Sequence, residues 1–471
     1  MNSKEPAIAA EKCRPDWHFW VWLAMTAATA FLLTVLGTAA IVRHAMLGGP
    51  RLTEAWLDRV ITTANFPGQV KAAFQELVSK YSDEPTPLLI KRKDIDETNW
   101  IRNFPSKDDN GYLLFSGLDR VFNKSIIQLI RISDGAILGQ WIPDWLAINE
   151  KISSKNWSVK SNTNAKQAIH PLLLDNGDVI FNTGDAMVRI NLCDSKPIWV
   201  LDELMHHSIE KDISGNIWTP SVTSGGFPYN KFLNTKLRDD ALALVSPDGK
   251  IIERRSFSEI LIRNGLGALL LGSTGKRLND DPIHINQIQV AIQTTKYWSR
   301  GDLLISARHL STVFIYRPST NIIIWYKTGP WMNQHSVEFL YPDRISIFNN
   351  NIIAAAPEKY SFLRSTDYNK FMIYNFETKE VSEPFAPALA LARLKSLTEG
   401  RAKLLEDGGL FIEETNYGRH LRYSPKKLLW SRVNDYNKHY IGAIAWSRYL
   451  SQQEIATTLM SLSKNKCVEK K

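Results

Sequence analysis

The chain contains 471 residues, of which 44% are hydrophobic and 22% charged, a composition typical of a folded protein that buries a core. Its formal net charge is +9, but the basic residues are scattered apart from a short run at residues 91–93 and the C-terminal tail, which argues against nucleic-acid binding. The three cysteines, Cys13, Cys193 and Cys467, form no metal or redox motif, and a disulfide between Cys193 and Cys467 is left open.

The first predicted element is a transmembrane helix at residues 17–42, preceded by a tail at residues 1–16. The segment contains no Asp, Glu, Lys or Arg. A helix of this length, rising about 1.5 Å per residue, exceeds the roughly 30 Å hydrocarbon core of a bilayer. Trp17, Trp20 and Trp22 fit an interfacial aromatic belt. A cleaved signal peptide is the alternative, but its apolar core is typically only about 7–15 residues long, so we expect a retained anchor.

Residues 43–100 are predicted to form a helical stalk and linker. Apolar residues recur near helical spacing between Leu52 and Tyr81, with an interruption at Pro67-Gly68. This pattern predicts two short helices. Pro85 and Pro87 follow and end the helical pattern.

Residues 101–450 carry a repeated β pattern, and residues 451–471 are predicted to be a C-terminal tail. Each unit has an apolar strand, a short turn, and further apolar strands that end near an aromatic residue. About six such units occur, with turns at Asn110-Gly111, Asn176-Gly177, Gly215-Asn216, Arg300-Gly301, Asp343-Arg344 and Gly408-Gly409. The repetition predicts an all-β fold, a six-bladed β-propeller, whereas a β-sandwich with irregular hairpins is the alternative.

Several histidines occupy a matching position in these units. His170, His207 and His335 lie seven or eight residues before the Gly of the turn, or before Asp343, which replaces it. Matching positions in a propeller face one another around the central channel. These histidines therefore predict either an axial site or a structural polar ring that plugs the channel.

Five segments then resemble, in chain order, the signature segments of bacterial arylsulfotransferases. The resemblance covers roughly residues 165–435. Its segments are Met205–Ile209 with Ser214–Asn216, Asp281–Asn286, Ser306–Thr312, Asn333–Val337 and Glu413–Arg419. That family folds as a six-bladed β-propeller, in agreement with the repeats. It transfers a sulfuryl group from an aryl sulfate to a phenolic acceptor without a nucleotide donor.

The resemblance implies a catalytic role for four residues. His335 would be the nucleophile that becomes sulfated, and His284 the acid or base at the phenolic oxygen. Arg308 and His207 would hold the sulfate oxygens, which suits the planar donor fork of arginine. A neutral imidazole is a competent nucleophile near neutral pH. His206 is the alternative to His207, although the position relative to the turn favours His207. Further candidates for substrate binding are His206, His309 and Arg401, and His170 is a further channel candidate.

Two serines depart from the family pattern, and one glycine-rich segment bears on whether a nucleotide binds. The family commonly has Asp where this chain has Ser208 and Ser336, and loss of a carboxylate that orients the imidazole would weaken or redirect activity. The segment Gly272–Lys276 is only a partial phosphate loop, because Arg277 replaces the metal-binding Ser or Thr. We therefore expect no nucleotide, no other cofactor and no metal, since the histidines lack carboxylates or thiols in matching positions.

The sequence also leads to an expected location for the protein and to a competing function. Basic residues flank the predicted anchor almost equally, so the resemblance alone implies a propeller on the periplasmic, extracytoplasmic side of the membrane. The competing function is a non-catalytic, membrane-anchored propeller that binds a small anion, a glycan or a protein. The full set of His207, His284, Arg308 and His335 favours the enzyme, because a scaffold would not need it.

Overall fold

The structure is a computed structural model. It describes residues 17–46, 88–152, 166–223, 237–271, 281–356, 361–364 and 368–464. The chain divides into two compact units, Met1–Glu84 and Pro85–Lys471. The predicted stalk helices, the partial phosphate loop, Cys13 and Cys467 all lie outside the described residues. Cys193 is disulfide-bonded.

The described part of the first unit is one helix, α1 (Trp17–Met46). Its sequence is rich in Ala, Leu and Met, which are strong helix formers. Thr26 Oγ1 and Thr29 Oγ1 donate hydrogen bonds to carbonyls four residues earlier, so these hydroxyls are satisfied within the helix. Among the residues described, no helix combines the length and the apolar character needed to cross a membrane. The expected anchor at residues 17–42 is thus not supported.

The second unit consists mainly of short antiparallel strands, as the repeated pattern predicted. The first fourteen are β1 (Leu89–Lys91), β2 (Tyr112–Asp119), β3 (Lys124–Arg131), β4 (Ile137–Trp141), β5 (Ile169–Leu173), β6 (Val179–Asn182), β7 (Met187–Ile190), β8 (Pro197–Leu201), β9 (Glu210–Lys211), β10 (Ile217–Val222), β11 (Asp240–Val245), β12 (Ile251–Ser256), β13 (Ile285–Val290) and β14 (Leu303–Ala307). The other fourteen are β15 (Thr312–Arg317), β16 (Ile322–Thr328), β17 (His335–Leu340), β18 (Arg344–Asn349), β19 (Ile352–Ala356), β20 (Ser361–Arg364), β21 (Lys370–Asn375), β22 (Val381–Ser382), β23 (Arg401–Leu404), β24 (Leu410–Glu414), β25 (Arg419–Tyr423), β26 (Leu428–Val433), β27 (Tyr440–Gly442) and β28 (Arg448–Leu450).

Short helices connect some of these strands. They are α2 (Trp145–Glu150), α3 (Phe257–Arg263), α4 (Ala268–Leu271), α5 (Ala386–Leu391) and α6 (Ala456–Lys464), with 3-10 turns at Arg92–Asp94 and Thr415–Tyr417. α6 lies in the predicted C-terminal tail, and Leu459 and Leu462 pack against the core shared by blades 1 and 2, which are defined below. β1 lies in the predicted linker and pairs with β27 of the propeller unit.

The strands form six four-stranded sheets within the described residues, which confirms the predicted six-bladed β-propeller. In chain order the blades are β28-β2-β3-β4, β5 to β8, β9 to β12, β13 to β16, β17-β18-β21-β22, and β23 to β26. β19 and β20 form a separate hairpin. The C-terminal strand β28 pairs with β2, with Leu450 opposite Tyr112, so the two ends of the repeat region close the ring in one blade.

The core lies mainly between neighbouring blades. Leu242 and Phe257 of the third blade region pack in one buried cluster with Ile288 and Phe314 of the fourth. Each strand contributes alternate side chains to such a cluster, because successive residues of a strand point to opposite faces.

The backbone of a predicted turn also explains its glycine. Gly177 has φ of +90°, and a Cβ there would come within 2.8 Å of Leu192, so this turn requires glycine.

The first strand of each sheet lies nearest the axis. These innermost strands are β28, β5, β9, β13, β17 and β23. Side chains at the beginnings of five of them contact one another although they belong to different blades, which is only possible around a common centre. The innermost strands therefore bring distant parts of the sequence into one place.

Candidate active site

Four innermost strands begin beside a residue with a left-handed backbone. His170, His207, His284 and Trp446 have φ of 52°, 57°, 53° and 56°. Positive φ is uncommon for residues other than glycine, because the Cβ crowds the backbone, and such strain clusters at functional sites. The same conformation in four blades turns equivalent side chains in the same direction relative to their strands.

These side chains meet those of the fifth blade in a histidine layer, defined as His170, His207, His284 and His335. The ring centre of His207 lies 5.0 Å from that of His284 and 6.4 Å from that of His335. His170 stacks on Trp446 at 4.6 Å, and Trp446 lies 5.8 Å from His207. The structure thus brings the three predicted catalytic histidines within the breadth of a small molecule.

The hydrogen bonds of Asn350 determine the tautomer of His335. The Asn350 Nδ2 group donates to the carbonyls of Ser396 and Glu399 at 3.0 and 2.8 Å, which fixes the orientation of its amide. Its Oδ1 therefore accepts from His335 Nδ1 at 2.7 Å. The proton of His335 lies on Nδ1, so Nε2 carries the lone pair. That Nε2 atom is buried and has no hydrogen-bond partner among the described residues.

A similar chain of hydrogen bonds determines the tautomer of His207. Arg238 Nη2 can only donate, and it lies 2.6 Å from His206 Nε2, so the proton of His206 is on Nδ1. His206 Nδ1 then donates to His207 Nδ1 at 2.8 Å. His207 consequently has its proton on Nε2. Asp240 anchors this chain by accepting from Arg238 Nε at 2.9 Å. His207 is therefore a hydrogen-bond donor, and His206 positions it.

Arg308 is held beside His284 at the end of the neighbouring strand. Its backbone N–H donates to the carbonyl of His284 at 2.9 Å, and its Nη1 donates to His309 Nε2 at 2.7 Å. His309 can accept this bond because its Nδ1 donates to the carbonyl of Asp281. The Asp281 carboxylate accepts from His284 Nδ1 at 2.5 Å. Arg308 Nε is buried and has no hydrogen-bond partner in the described part of the chain.

Burial keeps most of these imidazoles neutral. It lowers the pKa of His170, His207 and His335 well below 6.5, and the neighbouring charges of Arg401 and Arg308 add to this effect at His170 and His335 respectively. Burial also lowers the pKa of His206 and His309. At neutral pH the site therefore combines an unprotonated His335 Nε2 with the permanent cation of Arg308, the pair of properties needed to attack an anionic electrophile.

Arg401 lies outside this layer. Two to three residues further along the innermost strands is an ion-pair layer, defined as Glu210, Glu338, Arg401 and Arg448. Arg448 Nη1 lies 3.1 Å from Glu210, and Arg401 lies 3.8 and 3.7 Å from Glu210 and Glu338. The predicted substrate-binding residue Arg401 is thus engaged with carboxylates, whereas the predicted His206 and His309 lie beside the catalytic candidates and position them.

The two serines that replace the usual aspartates have structural contacts. Ser208 Oγ accepts from the backbone N–H of Ile288 at 2.8 Å, and Ser336 Oγ donates to the carbonyl of Ala402 at 3.4 Å. Both bonds join neighbouring blades. The carboxylate beside His206 comes from another part of the chain, since Asp240 Oδ1 lies 3.6 Å from His206 Nε2.

Among the residues that the structure describes, one group of side chains has the atoms for a metal ion. Asp281, His284 and His309 each offer one ligand atom, and these atoms lie within 4.8 Å of one another. His284 Nδ1, one Asp281 carboxylate oxygen and both ring nitrogens of His309 take part in the hydrogen bonds described above, and the cation of Arg308 lies against His309. Hydrogen bonding therefore accounts for this group better than a metal ion does.

Comparison with known proteins agrees with this geometry. A model of the arylsulfotransferase (ASST) family matches residues 170–434, which is more than half of the chain. The chain belongs to this family. The family match confirms the resemblance stated from the sequence, and it includes the whole histidine layer.

Other comparisons are distant. No curated protein is significantly similar to this arylsulfotransferase-family chain. Similar solved structures include a protein of unknown function from Bacteroides caccae, at 12% identity and a TM-score of 0.43, covering 73% of this chain and 99% of that one. The WD40 domain of Neurospora crassa Pan2 matches at 8% identity and a TM-score of 0.37, covering 68% of this chain and 78% of that one. These likenesses carry no functional conclusion.

Sequence reasoning missed several residues of the site. Trp446 was not predicted, although it precedes the innermost strand β28 at the position that histidines occupy in other blades. Asp281 was within a recognised segment, but no role was assigned to it. Asn350 and Asp240 carry no motif of their own. Only the pairing of β17 with β18 shows that Asn350 lies beside His335.

Proposed function

We propose that this protein is an arylsulfotransferase-like enzyme that transfers a sulfuryl group from an aryl sulfate to a phenolic acceptor through a sulfated His335. The observation that carries the proposal is the buried, unpartnered lone pair on His335 Nε2 within a layer that also contains donors for an anion. Family membership supports sulfotransfer as the reaction class.

The proposed reaction has two displacements. The His335 Nε2 lone pair attacks sulfur, an N–S bond forms, and the S–O bond to the aryl group breaks with its electron pair on the leaving phenolate. The acceptor oxygen then attacks the same sulfur, and the N–S pair returns to Nε2. Covalent catalysis divides one difficult transfer into two easier steps.

The remaining predicted residues have matching roles in this proposal. Arg308 and the Nε2–H of His207 stabilise charge on the sulfuryl oxygens, which is the task of preorganised donors in a site sheltered from water. His284, oriented by Asp281, exchanges a proton with the phenolic oxygen. The low pKa of His335 keeps the nucleophile unprotonated at neutral pH.

A direct test uses 4-nitrophenyl sulfate as donor and phenol as acceptor. We expect acceptor-dependent release of 4-nitrophenolate by the wild type and none by His335→Ala. His439→Ala is the matched control, since His439 is an exposed histidine on the same propeller. Mass spectrometry of protein quenched without acceptor should find the sulfuryl group on the peptide that contains His335.

The competing function gives a different result in the same assay. A binding propeller would bind the aryl sulfate in calorimetry with equal affinity in wild type and His335→Ala, and neither protein would release 4-nitrophenolate. That outcome would reject the enzymatic proposal for this donor.

We also propose that the propeller lies on the extracytoplasmic side of a membrane, as the family resemblance implied. A disulfide at Cys193 fits an oxidising compartment. Cell fractionation followed by protease treatment of intact spheroplasts tests this. Degradation of the propeller is expected, and complete protection in intact spheroplasts but not in lysed ones would reject the location.

A further inference from the structure

The sixth blade contributes a carboxyl group where four other blades contribute histidines. Its innermost strand β23 begins at Arg401, and Glu399 lies two residues earlier. Trp446 stands in the same relation to β28, and His284 immediately precedes β13. Glu399 thus occupies the strand-entry position of its blade. We propose, on the basis of the function proposed above, that Glu399 is a second proton-transfer residue, which takes the phenolic proton of the acceptor.

The loop that holds Glu399 is tied directly to the nucleophile. Asn350 accepts from His335 Nδ1 through its oxygen and donates to the carbonyl of Glu399 at 2.8 Å through its nitrogen. Asn416 fixes the other side of the loop, because its Oδ1 accepts from the backbone N–H groups of Thr398 and Glu399 at 2.9 and 3.2 Å. One amide side chain therefore sets the position of both His335 and the Glu399 backbone.

The Glu399 side chain is placed for proton exchange. It is only partly buried, and its carboxyl group accepts one hydrogen bond from the described residues, from Asn416 Nδ2 at 3.4 Å from Oε2. No ion pair within 4.0 Å involves Glu399 in the described part of the chain, whereas Glu413 and Glu414 are paired with His420 and Arg419. The charge of Glu399 is instead close enough to Arg308 to influence its pKa. The Glu399 carboxyl group therefore lies within electrostatic range of the cation that would bind the sulfate.

The surrounding charges set the protonation of Glu399. Burial and the neighbouring carboxylate of Glu413 raise the pKa of Glu399 to about 7, and Arg308 opposes them. Glu413 is a persistent anion. Burial acts to raise its pKa, but hydrogen bonds from His420, Thr415 and Ser447 lower it below the usual value. A carboxyl group that titrates near neutral pH is well matched to general acid–base catalysis.

The proton balance of the acceptor step is simple. The Glu399 carboxylate removes the proton from the phenolic O–H while the oxygen forms its bond to sulfur. The N–S bond breaks, and its electron pair returns to His335 Nε2. The resulting carboxylic acid then loses its proton to water. His284 serves the phenolic oxygen of the departing donor, and 4-nitrophenolate is a stable anion that needs no proton from either residue.

The test separates the two half-reactions in Glu399→Gln. Rapid mixing with 4-nitrophenyl sulfate alone measures sulfation as a burst, and subsequent addition of phenol measures the acceptor step. We expect a burst within about twofold of wild type and an acceptor step slower by roughly 10²- to 10⁴-fold, the usual range for one acid–base group. Glu380→Gln, which makes the same change at an exposed glutamate, should match wild type in both.

The pH profile and the acceptor provide further readouts. In wild type the acceptor step should rise with pH through about 7, because the carboxylate is the active form, and this limb should be absent in Glu399→Gln. A nitrophenol as acceptor is already largely ionised near neutral pH and should restore much of the variant's rate. A protonated-carboxyl infrared band that titrates near pH 7 in wild type and is missing in Glu399→Gln provides a readout independent of activity.

The opposing results are distinct. An acceptor step within twofold of wild type, with the same pH limb, would overturn the role of Glu399 while leaving sulfotransfer intact. Loss of the burst together with the acceptor step, in a variant that retains the circular dichroism of wild type, would also overturn it. Absence of a burst in wild type would instead reject the proposed function, and the role of Glu399 with it.

Discussion

The histidine layer and the ion-pair layer occupy the same innermost strands, yet their polar atoms are used differently. In the histidine layer, both ring nitrogens of His170 and the Nε2 atom of His335 have no hydrogen-bond partner among the described residues. In the ion-pair layer, Arg448 donates to the carbonyls of Pro171 and Ile209 and contacts Glu210. Unpartnered ring nitrogens thus mark the histidine layer, whereas in the ion-pair layer the guanidinium groups lie against carboxylates.

This difference indicates that the histidine layer serves function and that the ion-pair layer stabilises the fold. A buried polar group without a partner costs free energy, so its retention indicates a use in binding or catalysis. Breaking a buried ion pair leaves an uncompensated charge and destabilises the fold. Variants of the histidine layer should therefore change activity more than stability, and variants of the ion-pair layer should do the opposite.

The largest effect is expected at Arg308. Arg308→Gln removes the cation proposed to bind the sulfate and should lower kcat/KM for 4-nitrophenyl sulfate by about 10²- to 10³-fold, the scale for one preorganised donor. Unfolding should change little. Arg300→Gln, at an exposed arginine of the same blade, is the control. A decrease of less than roughly threefold at Arg308, which contacts His284 of the histidine layer, would contradict a catalytic use of that layer.

The next largest effect is expected in the ion-pair layer, as a loss of stability. Glu210→Gln removes the carboxylate that contacts both Arg448 and Arg401, and should lower the free energy of unfolding by about 3 kcal/mol, as expected for a broken buried pair. Denaturant titration measures this. Asp134→Asn, which breaks an exposed pair with Arg131, should cause no measurable change. Equal stability of the two variants would contradict the structural role of the layer.

A pH-dependent loss of stability should arise in the histidine layer. The pKa of His170, His207 and His335 is well below 6.5 in the folded protein, so below pH 6.5 the unfolded chain binds more protons. Stability should be constant above pH 6.5 from this source and fall below it, by up to about 1.4 kcal/mol per pH unit for each histidine. Thermal unfolding at pH 5 to 7 measures the slope.

His170→Phe sharpens this prediction. Both nitrogens of His170 lack partners in the described structure, so phenylalanine can keep the stacking on Trp446 without losing a hydrogen bond. The variant should lose one of the three contributions and show a shallower slope. A slope as steep as that of wild type would mean that His170 is not a source of the effect.

The smallest effect is expected at Asn350. Asn350→Ala releases His335 Nδ1 from its acceptor, and the sulfation burst should slow about tenfold, which corresponds to roughly 1.4 kcal/mol and the strength of one hydrogen bond. Asn350→Asp retains an acceptor and should keep more activity than the alanine variant. A wild-type burst in Asn350→Ala would refute the assigned tautomer.

The blades were predictable because their signal is local. A turn such as Asn176-Gly177 and the alternation of apolar residues beside it depend on neighbours in the chain, and the structure has its strands at these places. The positions of His207 and His335 relative to such turns likewise predicted that they would meet. The placement of Arg401 was not predictable in this way. Its position relative to a turn does not show whether its side chain lies in the histidine layer or in the ion-pair layer.

The supporting residues could not be predicted from spacing. Asn350 accepts a hydrogen bond from His335 of the neighbouring strand, and Asp240 accepts one from the backbone N–H of Ile285 in the next blade. Common residue types at such positions have no distinctive pattern in the sequence. Trp446 belongs to a strand that joins the first blade from the end of the chain, so its place in the ring depends on how the ring closes.

The sequence by itself determined the repeated strands, their number and the family of this protein, since turn chemistry, apolar periodicity and family motifs are all written along the chain. Tertiary structure alone decided which nitrogen of each imidazole carries the proton and which charges are paired. Those properties depend on contacts between blades, such as Asn350 with the Glu399 loop, and a propeller creates them only when its strands converge on one axis.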